Sequence, residues 1–343
     1  MSDHFSLLPE WARQAAVLMA WPHAATDWQP WLAPIERDYV ALAEAIAREV
    51  PPIILCQDEA HRESILRQLH DRCEHVPVLV IAPYNDTWCR DYGPLTCDNH
   101  GKLKLLDFCF NGWGDKYDAS LDDQVNHALA ALWNAELTTL DFELEGGSIE
   151  TDGAGTLLTT TRCLLESNRN SGFPAERIEA FLLETLGLQR CLWLRSGALL
   201  GDDTDSHIDN LARFTSADTI VHAICDDADD PHSAQLQAMA AELRTFRQTN
   251  GEPYVLRAIH LPKPQHDESG RRLPGSYINF LIVNGSVIVP VFDCPEDDAA
   301  LATLQRCFPD KRLLPVPGGN LIRQYGGPHC ATMQLPCGTV KLS

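Results

Sequence analysis

The sequence predicts an α/β fold, on two observations. Helical and strand patterns alternate along the chain, and one arrangement recurs: a polar group, a strand, a tight turn and a second strand. The helices come from apolar spacing. In APIERDYVALAEAIARE, Ile35, Tyr39, Leu42 and Ile46 share one helical face. FPAERIEAFLLETLG opens with Pro174, gathers Ile178, Phe181, Leu182 and Leu186, and stops at Gly187. PHSAQLQAMAAELRTFRQ and PEDDAALATLQRCF have the same character, and PVLVIAP (77–83) reads as a buried strand.

The recurring unit is more informative. RDYGPLTCDNHGKLKLLDF presents it first, and LEGGSIETDGAGTLLTTT repeats it with Asp152-Gly153 at the turn. SHIDNLARFTSADTIVHAIC follows, then SYINFLIVNGSVIVPVFD, whose Asn284-Gly285 is the strongest hairpin signal in the chain. GGPHCATMQLP resembles a shortened fifth copy. The leading groups are Asp91, Glu145, His207, Asn279 and Cys330, separated by 54, 62, 72 and 51 residues. Unequal spacing argues against a strict solenoid. It fits a ring of strand–turn–strand–helix units offering polar side chains at one end, which would bring distant residues together. No Pro/Ser-rich linker divides the chain, so residues 1–343 are expected to form one domain.

With 343 residues, 45% of them hydrophobic, the chain can bury a sizeable core. Its net charge of −21 disfavours nucleic acid and anionic membranes and favours small cationic ligands. The N-terminus carries no secretory pattern and no apolar run is long enough for a membrane span, so a cytoplasmic location is expected. The twelve cysteines include no C-x-x-C pair, so most should be small core residues in a reducing compartment.

Taken singly, each leading group has an ordinary structural explanation. Asp91 with Arg90 could form a salt bridge, Glu145 could cap a turn, and Cys330 could be a buried thiol. Together they form a set that no common core motif requires. His207 and Asp209 lie two apart, on one side of an extended segment. Glu145 is followed by two glycines, where backbone or ligand can approach closely. TWCRDYGP puts Trp88, Arg90 and Asp91 in one short turn. Adjacent carboxylates repel unless a cation separates them, and a guanidinium is a planar cation whose donors match carboxylate oxygens in pairs. Its central carbon is a poor electrophile, so attack needs a thiolate and loss of nitrogen needs a proton donor. Asp91, Glu145 and Asp209 with Cys330 and His207 are the parts such chemistry demands. His329, although adjacent to Cys330, should point away from the sulfur.

At these residues the sequence resembles the agmatine deiminase family, which includes bacterial peptidylarginine-deiminase-like proteins of the guanidine-modifying superfamily. The matching stretches are TWCRDYGP, FNGWGDKYD, LEGGSIETDGAGTLLTTTRCLLESNRN, DDTDSHIDNLARF, YINFLIVNGSVIVP and HCATMQLP, in family order over nearly the whole chain. The resemblance implies a pentein-type α/β propeller, with five pseudo-symmetric ββαβ units around a central active site. It implies that Cys330 attacks the guanidinium carbon and that His207 protonates ammonia and later activates water. Asp91 and Asp209 would pair with the guanidinium, and Glu145 would support His207 and the substrate. Trp88, Arg90 and Asn279 complete the expected substrate-binding set. No metal or organic cofactor is implied. Two positions depart from the family pattern: Ser206 stands where glycine commonly precedes the histidine, and Pro328 where an aliphatic residue commonly precedes HC.

The expected reaction is conversion of agmatine and water to N-carbamoylputrescine and ammonia, with a small cationic guanidine as the partner and a homodimer compatible with it. Arginine or peptidyl-arginine is the alternative substrate and would need a cationic residue for its carboxylate; Arg90 and Arg169 are candidates. A Cys/His acyltransferase would not need three carboxylates, and a non-catalytic guanidine or polyamine binder would not need Cys330. A metallohydrolase built on His207, Asp209, Glu145 and Cys330 lacks any compact zinc spacing.

Overall fold

The computed structural model describes residues 4–342. Strand β1 (Ser6–Leu7) and β2 (Gln14–Ala20) precede a helix, Leu32–Ile46, then β3 (Pro52–Cys56), helix Glu59–Leu69 and β4 (Val78–Ile81). Next come β5 (Leu95–Asn99), β6 (Lys102–Cys109), β7 (Glu136–Glu143), β8 (Ile149–Thr151) and β9 (Thr156–Thr160). Helix Ala175–Leu186 leads to β10 (Arg190–Leu194), β11 (Ala212–Ser216) and β12 (Thr219–Ile224). Helix Ser233–Thr245 leads to β13 (Val255–His260), β14 (Leu281–Val283) and β15 (Ser286–Val291). Helix Glu296–Cys307, β16 (Arg312–Pro317) and β17 (Thr332–Pro336) finish the chain. The fold is mixed α/β.

The strands form five small sheets with one shared logic. In each, an antiparallel pair is followed by a parallel one: β5/β6 then β6/β7, β8/β9 then β9/β10, β11/β12 then β12/β13, β14/β15 then β15/β16. The parallel step needs a crossover, which an amphipathic helix supplies in every sheet except β5-β6-β7, where short helical turns between residues 112 and 128 do so. The fifth sheet explains why the C-terminal copy looks short in sequence. β17 pairs antiparallel with β2 from the other end of the chain, Met333 opposite Leu18, and β2 then runs parallel to β3.

Local chemistry sets the boundaries. Gly187 ends its helix in the left-handed region at φ 63°, and Ile178, Leu182 and Leu186 are buried beneath it. Asn284 turns the β14/β15 hairpin at φ 43°. One expected burial is different. PVLVIAP forms β4, but as the outer strand of the β17-β2-β3-β4 sheet it has a single strand neighbour, and Ile81 is 48% exposed. Of the cysteines, Cys56, Cys89, Cys97, Cys163, Cys225 and Cys330 are buried and Cys337 is exposed; all twelve are free thiols. Among the described residues, no helix is long and apolar enough to cross a membrane.

Candidate active site

The five leading positions of the repeat all fall in the turn immediately before the first strand of a sheet's antiparallel pair. Asp91 lies in the single helical turn Cys89–Tyr92 before β5, and Glu145 before the turn Gly146–Ser148 that enters β8. His207 precedes the turn Ile208–Asn210 before β11, while Asn279 and Cys330 come just before β14 and β17. Backbone contacts knit these turns together: the Arg90 amide donates to the Cys330 carbonyl at 3.1 Å, and the Gly147 amide to Asp91 Oδ1 at 2.9 Å.

Cys330 Sγ is buried beside Asn279 Nδ2 at 3.0 Å and Asp209 Oδ2 at 3.3 Å. Asn279 also accepts through Oδ1 from the amides of His329 (3.1 Å) and Cys330 (3.2 Å), so one side chain fixes both loop and sulfur. A Cβ at Gly327 would lie 2.6 Å from that Oδ1, which is why the loop carries glycine there. Burial, followed by the Asp209 and Asp91 carboxylates, pushes the Cys330 thiol well above its ordinary value.

His207 Nδ1 stands 3.6 Å from Asp91 Oδ1, and Asp91 Oδ2 accepts from Trp113 Nε1 at 2.9 Å. Burial raises the Asp91 carboxyl, with His207 opposing the shift. Asp209 goes the other way: the His329 hydrogen bond and the surrounding cations outweigh burial and hold it below the usual carboxylate range. Glu145 Oε1 accepts from Arg169 Nε at 2.6 Å. Its Oε2 and both nitrogens of His207 are buried without a hydrogen-bond partner. Such a cluster is unfavourable by itself and suits a ligand that brings several N–H groups.

A cavity of about 430 Å³ reaches this cluster. Asp91 and Cys330 line it with Trp88, Trp113, Tyr117 and Tyr325, and Asp27, Asp86 and Asp203 also face it. Among the described residues no lysine or arginine contributes to the lining, although Lys116 Nζ stands 3.7 Å from Asp203 Oδ1 beside it. His207, Asp209 and Glu145 sit behind that wall, fully buried. The Arg90 side chain does not join them. Its guanidinium donates to the His329 carbonyl at 3.3 Å and to Gln334 at 2.5 Å, and faces a separate cavity of about 380 Å³. Arg169 is likewise committed, to Glu145 and, at 2.8 Å, to Asp205.

Among the described residues two groups of potential metal ligands converge, Glu145 with Cys163 and His207, and Glu10 with Glu150 and His329. In each, an arginine already supplies the counter-charge: Arg169 on Glu145, and Arg213 on Glu10 and Glu150. Burial, with Glu145 next, also holds the Cys163 thiol strongly protonated. Neither group fits a cation site.

A model of the Porphyromonas-type peptidyl-arginine deiminase family matches residues 6–336. The chain belongs to that family. Agmatine deiminase of Ectopseudomonas mendocina is 34% identical over 98% of this chain and 96% of its own. Among solved structures, C. jejuni agmatine deiminase with substrate bound superposes with a TM-score of 0.90 at 35% identity, covering 98% of this chain and 97% of that one. A Porphyromonas gingivalis protein proposed to be an arginine deiminase gives 0.93 at 42% identity, covering 98% and 100%.

Against the family pattern, Ser206 now has a physical reading. Its φ of 69° lies in the left-handed region, which glycine adopts without penalty and serine does not. Asp202 Oδ2 holds the Ser206 amide at 2.7 Å and Thr160 donates to its carbonyl at 2.9 Å, so neighbours impose the conformation. The residues that sequence reasoning missed are Trp113, Tyr117, Tyr325, Asp27, Asp86 and Asp203. Trp113, at φ 59°, is held between two glycines, and Asn111 accepts from the Gly114 amide at 2.8 Å. The FNGWGD stretch was the available signal, since tryptophan between glycines marks an unusual backbone.

Proposed function

We propose that this chain hydrolyses agmatine to N-carbamoylputrescine and ammonia through a covalent intermediate on Cys330. The cavity lining carries the reading. Asp91 and Cys330 meet one end of a ligand, aromatic rings flank its length, and Asp27 and Asp86 offer charge to a second cation, while Asp203 is already paired with Lys116. A substrate with guanidinium and ammonium ends matches that lining. The carboxylate of arginine would face Asp27 and Asp86, because Lys116 beside the lining is held by Asp203 and Asp205, and Arg90 and Arg169 are engaged elsewhere. Agmatine deiminases 34–35% identical to nearly the whole chain support the same substrate.

In this mechanism Asp91 and Asp209 hold the guanidinium, and its charge offsets the carboxylates that keep the Cys330 thiol protonated. The thiol proton passes to His207 and sulfur attacks the central carbon. Collapse of the tetrahedral adduct expels one nitrogen, which takes the proton from His207 and leaves as ammonia. The S-alkylthiouronium that remains is attacked by water deprotonated by His207. The C–S bond then breaks, the adduct's hydroxyl proton passes to the departing sulfur as the carbonyl forms, and His207 gives up its proton to solvent, which restores the Cys330 thiol and the neutral histidine. Glu145 keeps a free carboxylate oxygen beside His207 for the substrate to meet, Asn279 fixes Cys330, and Trp88 packs against the substrate.

We read the five sheets as ββαβ units of a pentein-type propeller around this site, within one domain spanning residues 1–343. The shared strand order and the equivalent turns that supply Asp91, Glu145, His207, Asn279 and Cys330 support that reading. Ammonia release across agmatine, arginine, an arginyl peptide and methylated arginine, with chelator present, tests the substrate. Agmatine should exceed arginine in kcat/KM by on the order of 10²-fold or more, the loss expected when a buried charge meets no partner. Equal or faster turnover of arginine or the peptide would overturn the assignment.

A further inference from the structure

The residue next to the nucleophile belongs to a buried charge relay that the proposed chemistry leaves unused. His329 Nδ1 lies 2.8 Å from Asp209 Oδ2, the oxygen that is itself 3.3 Å from Cys330 Sγ. His329 Nε2 lies 2.8 Å from Glu10 Oε2. Glu10 continues to Arg213, whose Nε reaches Glu150 Oε1 at 2.5 Å, and Glu10 Oε1 accepts from the Ile282 amide at 2.6 Å. Arg90 adds a cation, donating to the His329 carbonyl at 3.3 Å. All these side chains are buried.

An ionised carboxylate only accepts hydrogen bonds, so a histidine between two of them makes both contacts only by donating from both nitrogens. A positive ring is therefore the state that satisfies this geometry, with Asp209 and Glu10 as its counter-ions. The ring also sets where Asp209 can point. Asp209 Oδ1 has the neighbouring Asn210 amide at 3.2 Å, while Oδ2 is shared between His329 and the sulfur.

We propose that His329 is a positioning residue, which ties Asp209 to the Glu10–Arg213–Glu150 cluster and so fixes the carboxylate facing both Cys330 and the substrate cation. This rests on the deiminase reading for its effect on turnover, but not for its effect on the thiol. Removing the cation leaves Asp209 less compensated, and an uncompensated carboxylate beside sulfur disfavours the thiolate.

Two substitutions separate positioning from packing. His329→Asn keeps a donor where Nδ1 meets Asp209, whereas His329→Gln keeps one where Nε2 meets Glu10. The Asn variant should retain at least tenfold more kcat on agmatine than the Gln variant, with KM changed less than kcat. In both, alkylation of Cys330 by iodoacetamide without substrate should move to higher pH, because both lose the cation. Equal kcat in the two variants, or an alkylation profile like that of the unmodified protein, would overturn the proposal. Nitrogen-15 NMR of the unsubstituted protein gives a readout that needs no variant. Both ring nitrogens of His329 should be protonated at pH 7, and an unprotonated nitrogen would also overturn it. If the unmodified protein released no ammonia from any guanidine, the deiminase reading would fail while the alkylation and NMR results still decided this one.

Discussion

Asp86 shows how one carboxylate at the cavity can act on substrate capture. Burial, and then the Asp27 carboxylate nearby, raise its carboxyl to about 7. It is therefore neutral below that pH and charged above it, so its attraction for an ammonium tail is present at alkaline pH and lost as pH falls. KM for agmatine should rise as pH drops from 8 to 6, by up to roughly tenfold if the full ion pair is lost. Asp86→Asn should raise KM at pH 8 and flatten this dependence. An Asn variant that kept the same pH dependence of KM would assign it to another group. The cavity-lining residues Asp27, Asp86 and Asp203 were illegible in sequence because single acidic residues in a chain of net charge −21 carry no signal. By contrast, Cys330, His207, Asp91, Asp209 and Glu145 could be singled out because reactive residue types fell at equivalent places in a repeat. His329 was expected to turn away from the sulfur. Its Nδ1 meets Asp209 Oδ2, the oxygen that also lies beside the sulfur, a contact that sequence adjacency does not suggest.

The turns that precede the hairpins do more than connect strands. In the turn Gly146–Ser148, Ser148 Oγ donates to the Glu145 carbonyl at 2.5 Å, which locks the backbone as it enters β8. A Cβ on Gly147 would stand 2.7 Å from His207 Nδ1, 2.8 Å from Asp91 Oδ1 and 3.1 Å from Asp209 Oδ2. Those atoms belong to two other turns, Cys89–Tyr92 and the one that His207 enters, so one methyl would force them apart. Gly147→Ala should therefore lower kcat by on the order of 10²-fold through misplacement, with the fold retained by circular dichroism. Activity within threefold would mean that the three side chains have room to shift. At this scale the hairpins and helices were legible, because Asn-Gly and Asp-Gly turns and helical spacing are local signals. The half-exposed β4 was not, since a continuous apolar run is the same for a central and an edge strand.

Across the whole molecule, the site exists only because residues from Asp91 to Cys330 are carried to one place by five sheets. The β17/β2 pairing could not be read from GGPHCATMQLP, since its partner strand lies more than 300 residues earlier. The same separation is why Cys330 and His207 look unrelated in sequence, while the adjacent His329 looks like a partner. Covalent capture tests the central claim most directly. His207→Ala is incubated with agmatine, quenched in acid and digested, and the cysteine peptides are weighed. The predicted result is an agmatine-derived thiouronium mass on the peptide containing Cys330 and on no other. Adduct on a different cysteine, or ammonia release at near-normal rate by Cys330→Ser without any adduct, would contradict it.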